Sequence, residues 1–510
     1  MVDHAQGGLD HVGERRAPLR ERLALRAHAL SWTNNEAVLF PIVALFLIGL
    51  LGNMPGELLS DSWLVILGGR EIVHHGLPHH DTLAIWTHGH TWVDQQWLGQ
   101  LIFYGLYVLG GVKLALVGHV TAASTAFVLA LVAARWRGGT TRAVCWLALP
   151  SIFLLIWGSW NARAQSLALL LFVGLVWLLV ADARAPSRRV FFFVPLLIVW
   201  ANVHGTAITG ALLVVLWGVT YGWERRRQPL RSWLPRTAAL CLAPVACVFA
   251  SPYAAQLPGY YHLMLTNSGL RDYIVEWRPT APSLQTAPFF ALAFLTVWLV
   301  GRCRDRLLRY EKVVLGLTLL MALQSIRSVI WFTLALLMLV PVALDGVLKP
   351  NVAAMRFKLL NKALVACSLA GVVAASAAIA AKPSSWTLRE YPSGALAAVD
   401  RVDARHPHVR VFANELYTDW LLLERPQLKG RLAFDIRFEL TSKTQIKRLI
   451  DIRRRVEGWR QAVSIYGLFV LNKGPEGALA AALLREPGAK ALYRGHDVIV
   501  LWRPPQHPAK

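Results

Sequence analysis

The sequence predicts an α-helical polytopic membrane protein of about eleven spans plus one half-inserted segment, followed by a C-terminal extracytoplasmic α/β domain. Three observations lead there. Apolar runs of membrane-spanning length recur up to about residue 382, in a chain of 510 residues that is 55% hydrophobic and only 16% charged. The basic residues fall in short clusters between those runs, as orientation in a bilayer requires. From about residue 383 the apolar runs shorten, charges rise, and strand-like pieces alternate with helix-like ones.

The formal charge of +23 is therefore a topological signal, and no nucleic-acid partner is expected. The five cysteines, Cys145, Cys241, Cys247, Cys303 and Cys367, lie within the membrane part. They imply neither an extracytoplasmic disulfide framework nor a metal signature.

Residues 1–36 are polar, carry Arg15, Arg16, Arg20, Arg22 and Arg26, and lack a cleavable signal pattern. The positive-inside rule puts them in the cytoplasm. The run 37–55 is then an uncleaved signal anchor, opening a transmembrane domain over 37–382 and delivering a first outer loop, 56–97, to the outside. Residues 97–134 are long enough for two spans, but two would push the basic cluster at 135–142 outward. One span near 113–134, preceded by a half-inserted or interfacial segment at 98–110, keeps every basic cluster inside. Further spans fall near 143–160, 165–182, 190–203, 206–223, 236–251, 288–301, 312–325, 328–347 and 362–382. In the extracytoplasmic domain, 383–510, strands are expected at Val409–Ala413, Arg431–Phe434, Leu468–Leu471 and Val498–Trp502. Helices are expected at Ser393–Arg405, Thr444–Val456, Trp459–Tyr466 and Glu476–Arg485.

The first outer loop gathers groups that a bilayer protein has little reason to carry. It holds Asp61, Asp81, Asp94, Arg70 and Glu71, six histidines (His74, His75, His79, His80, His88, His90), and Trp63, Trp86, Trp92 and Trp97. The predicted topology brings four more polar stretches to the same side: Trp160–Gln165, Trp200–Gly205, 252–287 and Gln324–Arg327. Ionisable residues at span ends on one shared face point to a site.

Asp61 follows the first span and has two readings. It is a general base or metal ligand for an acceptor hydroxyl, or an N-cap of the helix after it. Asp81 and Asp94 are candidate second carboxylates, or caps of a proline turn and of the half-inserted segment. The histidine pairs lack the i, i+4 spacing of a zinc site and read as solvated interfacial residues. Arg163, His204, Arg271 and Arg327 sit at outer span ends, as phosphate donors or as side chains snorkelling to headgroups. Arg70 in the loop joins them as a phosphate candidate. Trp63, Trp97, Asn202 and the pair Glu276–Trp277 are candidates for sugar or acceptor binding by stacking and hydrogen bonds, or for interface anchoring. Asp435-Ile436-Arg437 in the terminal domain is an acceptor contact or a structural ion pair.

One further pattern combines these pieces: Asp61-Ser-Trp63, Gly69-Arg70, His75-Gly-Leu-Pro78, Asp81 and Trp92-Val-Asp-Gln-Gln-Trp97. It continues with Arg163-Ala-Gln165, Trp200-Ala-Asn-Val-His-Gly205, Ser251-Pro-Tyr253, Glu276-Trp277 and Arg327. It resembles the GT-C class of polytopic membrane glycosyltransferases, the protein mannosyltransferase, aminoarabinose transferase and oligosaccharyltransferase type, in an uncharacterised bacterial branch. The chain departs from the better-known branches in lacking a paired Asp-x-Asp, a Lys-Pro-Pro-Leu loop and a WWDYG-like motif.

The resemblance implies a polyprenyl-phosphate sugar donor, and a glycan, lipid or protein acceptor in the cell envelope. It places the catalytic carboxylate on Asp61, which would also hold Mg or Mn where a divalent cation is used. It implies inverting transfer at the outer face of the bacterial cytoplasmic membrane, among membrane lipids. The alternative is a lipid-linked-sugar transporter or flippase, or a non-catalytic envelope assembly factor. A transporter would place ionisable residues near the bilayer midplane and repeat its halves.

Overall fold

Eleven stretches are expected to span, and a helix lies at each of them. The structure, a computed structural model, describes residues 36–348 and 358–505. The predicted cytoplasmic N-terminus, but for Glu36, and the start of the last basic cluster lie outside the described residues. The helices of the membrane part are α1 (Leu39–Asn53), α2 (Ser60–His75), α3 (Trp97–Trp136), α4 (Thr141–Gly158), α5 (Gln165–Arg184) and α6 (Phe193–Val203). They continue with α7 (Ala207–Arg225), α8 (Leu230–Val248), α9 (Ala287–Arg302), α10 (Arg309–Gln324), α11 (Val329–Leu339) and α12 (Lys358–Ala381). Among the described residues six helices are long and apolar enough to cross a membrane, at 36–57 and at α3, α4, α5, α7 and α12.

α3 breaks where the charge argument required it to. Gly110 leaves helical geometry, and Gly111 adopts φ 66°, ψ −166°, a conformation glycine reaches without strain. The piece before the break is about 20 Å long by the helical rise, short of a hydrocarbon core of about 30 Å. Beyond it, α3 buries Ala115, Ala122, Ala123, Ala126, Ala130, Ala133 and Ala134. Small residues let α5 and α11 pack closely on it. α2 is not a span. It lies along α3, and a Cβ at Gly69 would come within 2.4 Å of the Gln100 carbonyl oxygen.

The basic clusters meet at one end of the helices. Arg137 pairs with Glu311 at 2.6 Å, and Arg236 with Asp182 at 2.6 Å. Arg184 donates to the Arg137 carbonyl at 3.2 Å. The polar turns of the predicted outer side meet at the other end. The two polar sets thus stand apart, as the topology demands.

The terminal domain is a four-stranded sheet with order β1-β2-β4-β3. β1 (Val411–Ala413) and β2 (Leu468–Asn472) are parallel, joined through α14 (Glu415–Glu424) and α15 (Lys443–Arg454). β3 (Lys490–Arg494) and β4 (Val498–Trp502) are antiparallel to each other, and β4 to β2. α13 (Ser393–Arg405) precedes the sheet and α16 (Lys473–Leu483) follows β2. Two expectations need correction. Arg431–Phe434 is not a strand but a bridging segment. It bonds Val411 on one side and the first outer loop on the other, where the Ile85 and Trp86 amides donate to the Leu432 and Ala433 carbonyls. The expected helix Trp459–Tyr466 shrinks to Trp459–Ala462. α14 and β3 were not foreseen.

α14 seats the domain on the membrane part by packing against α2. Arg70 donates to the Leu423 and Leu422 carbonyls at 2.6 and 3.1 Å, filling acceptors that a helix end leaves open. Tyr391 donates to the Leu58 carbonyl at 2.9 Å and packs edge-on against Trp63.

Candidate functional site

Asp61 stands in the first turn of α2 and does not cap it. The Ser62 hydroxyl takes that role, accepting the Leu59 amide at 3.2 Å. Asp61 turns instead to the outer turn between α4 and α5. Its Oδ2 accepts from Asn161 Nδ2 at 2.8 Å and from Arg163 Nη1 at 3.2 Å. Among the described residues nothing bonds its Oδ1, and the side chain stays 31% exposed. One oxygen is held and the other is free.

The turn carrying Asn161 and Arg163 is fastened from below. Asn161 Oδ1 accepts from Ser62 Oγ at 3.1 Å, which forces the amide NH₂ toward Asp61. The Ala162 amide donates to the Glu57 carbonyl at 2.9 Å, and Ser166 Oγ to the Arg163 carbonyl at 2.8 Å. Buried His119 contacts both ends of the turn, at the Ser159 carbonyl and the Ser166 hydroxyl.

The same Arg163 Nη1 reaches Glu276 Oε2 at 3.2 Å. Glu276 lies on the turn Val275–Trp277, laced to the turn Ile326–Ser328. Ser325 Oγ donates to the Glu276 carbonyl at 2.9 Å, and the Ile326 amide to the Arg278 carbonyl at 3.2 Å. That lacing sets the Arg327 guanidinium over the Trp277 ring, 4.7 Å from its centroid. Among the described residues no carboxylate lies within ion-pair distance of Arg327. His204 Nδ1 accepts the Thr206 amide at 3.2 Å, which leaves the ring proton on Nε2 as a donor. Burial and the charges of Arg327 and Arg163 hold its imidazole well below the ordinary value, so the ring is neutral.

The two acids of this group diverge. Burial, opposed by Arg163, raises the Asp61 carboxyl above the ordinary aspartate range. Burial also works against charge on Glu276, but Arg163 and Arg327 win and hold it below the usual range.

The other predicted residues are placed elsewhere. Trp97 donates to Asn202 Oδ1 at 2.8 Å, and Asn202 Nδ2 donates to the Ile198 and Ala250 carbonyls at 2.8 Å each. That pair ties helix ends together. Asp81 is buried against Arg437 at 2.6 Å, with Asp435 on the same guanidinium and Trp92 beneath it. This is the structural ion pair, and it joins loop to terminal domain. Asp94 is buried, accepts from Gln100 at 2.9 Å, and is pushed up to about 7 by desolvation. Trp63 is core, and Arg70 is spent on α14. All six loop histidines are exposed. No three His, Cys, Asp or Glu among the described residues are grouped to hold a metal ion. A guanidinium already neutralises Asp61, so the donors present do not fit the divalent cation that the resemblance implied.

Four groups near the site escaped the sequence. Asn161 lies inside a quoted turn but is uncharged. Tyr260 accepts a hydrogen bond from Gln95. Glu439, on the turn Phe438–Leu440, is close enough to feel Asp61, and burial pushes it up to about 7. Asp419 of α14 is fully buried, with no hydrogen bond to either carboxylate oxygen among the described residues, and desolvation and Asp435 raise it well above the ordinary range. The last two come from the terminal domain, and both feel the charge of Asp61.

No family model matches the chain, and no curated protein matches it in sequence. Among solved structures it is similar to the crystal structure of ArnT from Cupriavidus metallidurans bound to undecaprenyl phosphate. That match has 16% identity and a TM-score of 0.51, over 91% of this chain and 97% of that one. It also matches the cryo-EM structure of the arabinofuranosyltransferase AftD from Mycobacteria, at 13% identity and TM-score 0.48, over 94% of this chain and 40% of that one. Coverage of nearly the whole of both chains in the ArnT match, together with the apolar helices and the polar group at one end, makes this a multi-pass membrane protein with the GT-C fold.

Proposed function

We propose that the chain is a membrane glycosyltransferase. It moves a sugar from a polyprenyl-phosphate donor to a hydroxyl of a cell-envelope glycan, lipid or protein, at the outer face of the bacterial cytoplasmic membrane and with inversion. The observation that carries this reading is the half-held carboxylate. Asp61 Oδ2 is fixed by Asn161 and Arg163, while Oδ1 accepts no hydrogen bond among the described residues, on a side chain 31% exposed that feels the charge of Arg327. A carboxylate that must take a proton at a defined position needs one oxygen held and the other available, and this arrangement supplies both. The fold shared with ArnT, whose structure holds undecaprenyl phosphate, supports the donor class.

The step balances as follows. The acceptor oxygen attacks the anomeric carbon from the face opposite the phosphate, giving inversion. Its proton passes to Asp61 Oδ1. The bond from the anomeric carbon to the phosphate oxygen breaks through an oxocarbenium-like transition state, and the electron pair leaves on the phosphate. Arg327 and the Nε2–H of His204 stabilise that charge, with Trp277 holding the guanidinium in place. Raising the Asp61 carboxyl makes it a better proton acceptor than an ordinary aspartate.

The test is release of undecaprenyl phosphate from a panel of undecaprenyl-phosphate sugars by the purified full chain in lipid nanodiscs, with envelope extract as acceptor. Asp61→Asn should abolish release while leaving thermal unfolding unchanged. Turnover equal to wild type in that variant ends the assignment.

A further inference from the structure

The two arginines of the site face an arithmetic problem. Arg163 and Arg327 carry two positive charges, and Asp61 and Glu276 carry two formal negative charges against them. Glu439, which is close enough to feel Asp61, adds no positive charge. With both acids in place the group presents no net positive charge to an arriving lipid phosphate. Something must move before a phosphate binds well.

The geometry says which group. Arg163 is only 8% exposed, and the Nη1 that meets Glu276 is also bonded to Asp61, so it is fixed. Asp61 is held by a second donor, Asn161. Glu276 is the loose member. Its side chain is 28% exposed, one of its oxygens meets Arg163, and the other has no hydrogen bond among the described residues. Its backbone is laced to the turn that carries Arg327, and its neighbour Trp277 supports that guanidinium. The carboxylate therefore meets Arg163 directly and feels the charge of Arg327, on a part-exposed side chain whose backbone is anchored. A carboxylate held by a guanidinium is also the nearest protein equivalent of a phosphate oxygen held by one.

We infer that Glu276 is the resident anion of the phosphate site: its carboxylate holds the place at Arg163 that the donor phosphate takes, and so sets how tightly the site binds the lipid phosphate before and after transfer. This rests on the polyprenyl-phosphate donor proposed for the chain. Displacement of Glu276 frees one N–H of Arg163 Nη1 toward the phosphate, while Asp61 keeps its own bond to the same nitrogen and remains in register. When the lipid phosphate leaves, Glu276 returns. Glu276 is thus an affinity-setting residue, and its removal should strengthen binding rather than weaken it.

The experiment is equilibrium binding of undecaprenyl phosphate to the full chain in nanodiscs, followed by intrinsic tryptophan fluorescence, with undecaprenol as the phosphate-free control. Wild type, Glu276→Gln, Asp61→Asn and Arg327→Gln are compared at matched thermal midpoints. Glu276→Gln should bind about tenfold tighter, and Asp61→Asn should gain clearly less, because Asp61 is not displaced. In turnover, Glu276→Gln should lower KM and kcat together, as lipid phosphate release becomes slow. Wild-type or weaker affinity in Glu276→Gln overturns the inference, and so does equal tightening in both acid variants, which would mean a diffuse charge effect. If wild type binds and Arg327→Gln does not, the donor reading survives either of those results. If wild type does not distinguish undecaprenyl phosphate from undecaprenol, the donor reading fails and the inference falls with it.

Discussion

Replacing Asn161 by alanine isolates one term in the working of Asp61. The side chain is nearly buried, so it does not reach a lipid-borne substrate itself. It acts through a single 2.8 Å hydrogen bond to Asp61 Oδ2. A bond from a neutral donor to a carboxylate contributes about 1.5–3 kcal/mol. Arg163 at 3.2 Å remains on the same oxygen, so the lower half of that range is the better guide, on the order of 1.5–2 kcal/mol. If the carboxylate loses its fixed orientation by that amount, kcat falls about 10- to 30-fold. Losing a donor to the ionised form also raises the Asp61 carboxyl further, so the acid limb of the pH–rate profile moves to higher pH. The sign follows from the base being needed unprotonated: activity is lost as pH falls through the carboxyl's pKa, and a higher pKa brings that loss earlier. The assay is undecaprenyl phosphate release at saturating donor across pH 5 to 9, with KM for the donor measured alongside. A variant with unchanged kcat and an unmoved acid limb refutes the argument. A raised KM with unchanged kcat refutes it too, because that pattern belongs to ground-state binding.

How much of this was legible in the sequence differs residue by residue. Asp61, Arg163, Glu276 and Arg327 each stood out because a charged group at the end of an apolar run is conspicuous. Their mutual arrangement was not legible. The bonds of Asp61 cross 100 and 102 residues and that from Arg163 to Glu276 crosses 113, so no local pattern records them. Arg70 and Trp63 were as conspicuous as Asp61, yet α2 turns them toward the terminal domain, and a residue's polarity does not say which neighbour its helix face will meet. The division of α3 was legible in part: charge placement separated a segment at 98–110 from a span near 113–134, and the break falls between them, at Gly110 and Gly111, whose role no charge argument names. Arg431–Phe434 misled because an apolar segment paired on both sides reads as a strand, although each pairing is only a single bridge. Asp419 escaped for the opposite reason. It sits among Trp420, Leu421, Leu422 and Leu423, where an acid is read as the polar face of a helix, and only the docking of α14 on α2 buries it.

Two further perturbations probe the joint between the domains. Asp94 is buried and pushed up to about 7, so the fold favours its protonated form. A raised carboxyl makes the native state bind more protons than the unfolded one between its unfolded value and about 7, so stability is lost as pH rises through that window. Asp94→Asn should therefore raise the thermal midpoint at pH 8 and leave it nearly unchanged at pH 4; an equal shift at both pH values would remove the cause assigned to it. Arg437→Met tests the buried ion pair that joins the first outer loop to the terminal domain. Arg437 is 1% exposed, between Asp81 and Asp435, and Asp419 feels its charge. Removing one member of a buried pair costs about 3–5 kcal/mol, because the remaining charges keep no compensation. The loss should fall on the joint, since Asp81 belongs to the loop and Asp435 to the domain. Limited proteolysis should then cut the loop near His88 to His90, whose contact with the Leu440 carbonyl depends on the domain staying seated. Restoring neutrality with Asp81→Asn and Asp435→Asn in the same chain should recover much of the protection. If the triple variant is as labile as Arg437→Met alone, the contribution of Arg437 is its packing on Trp92 and not its charge.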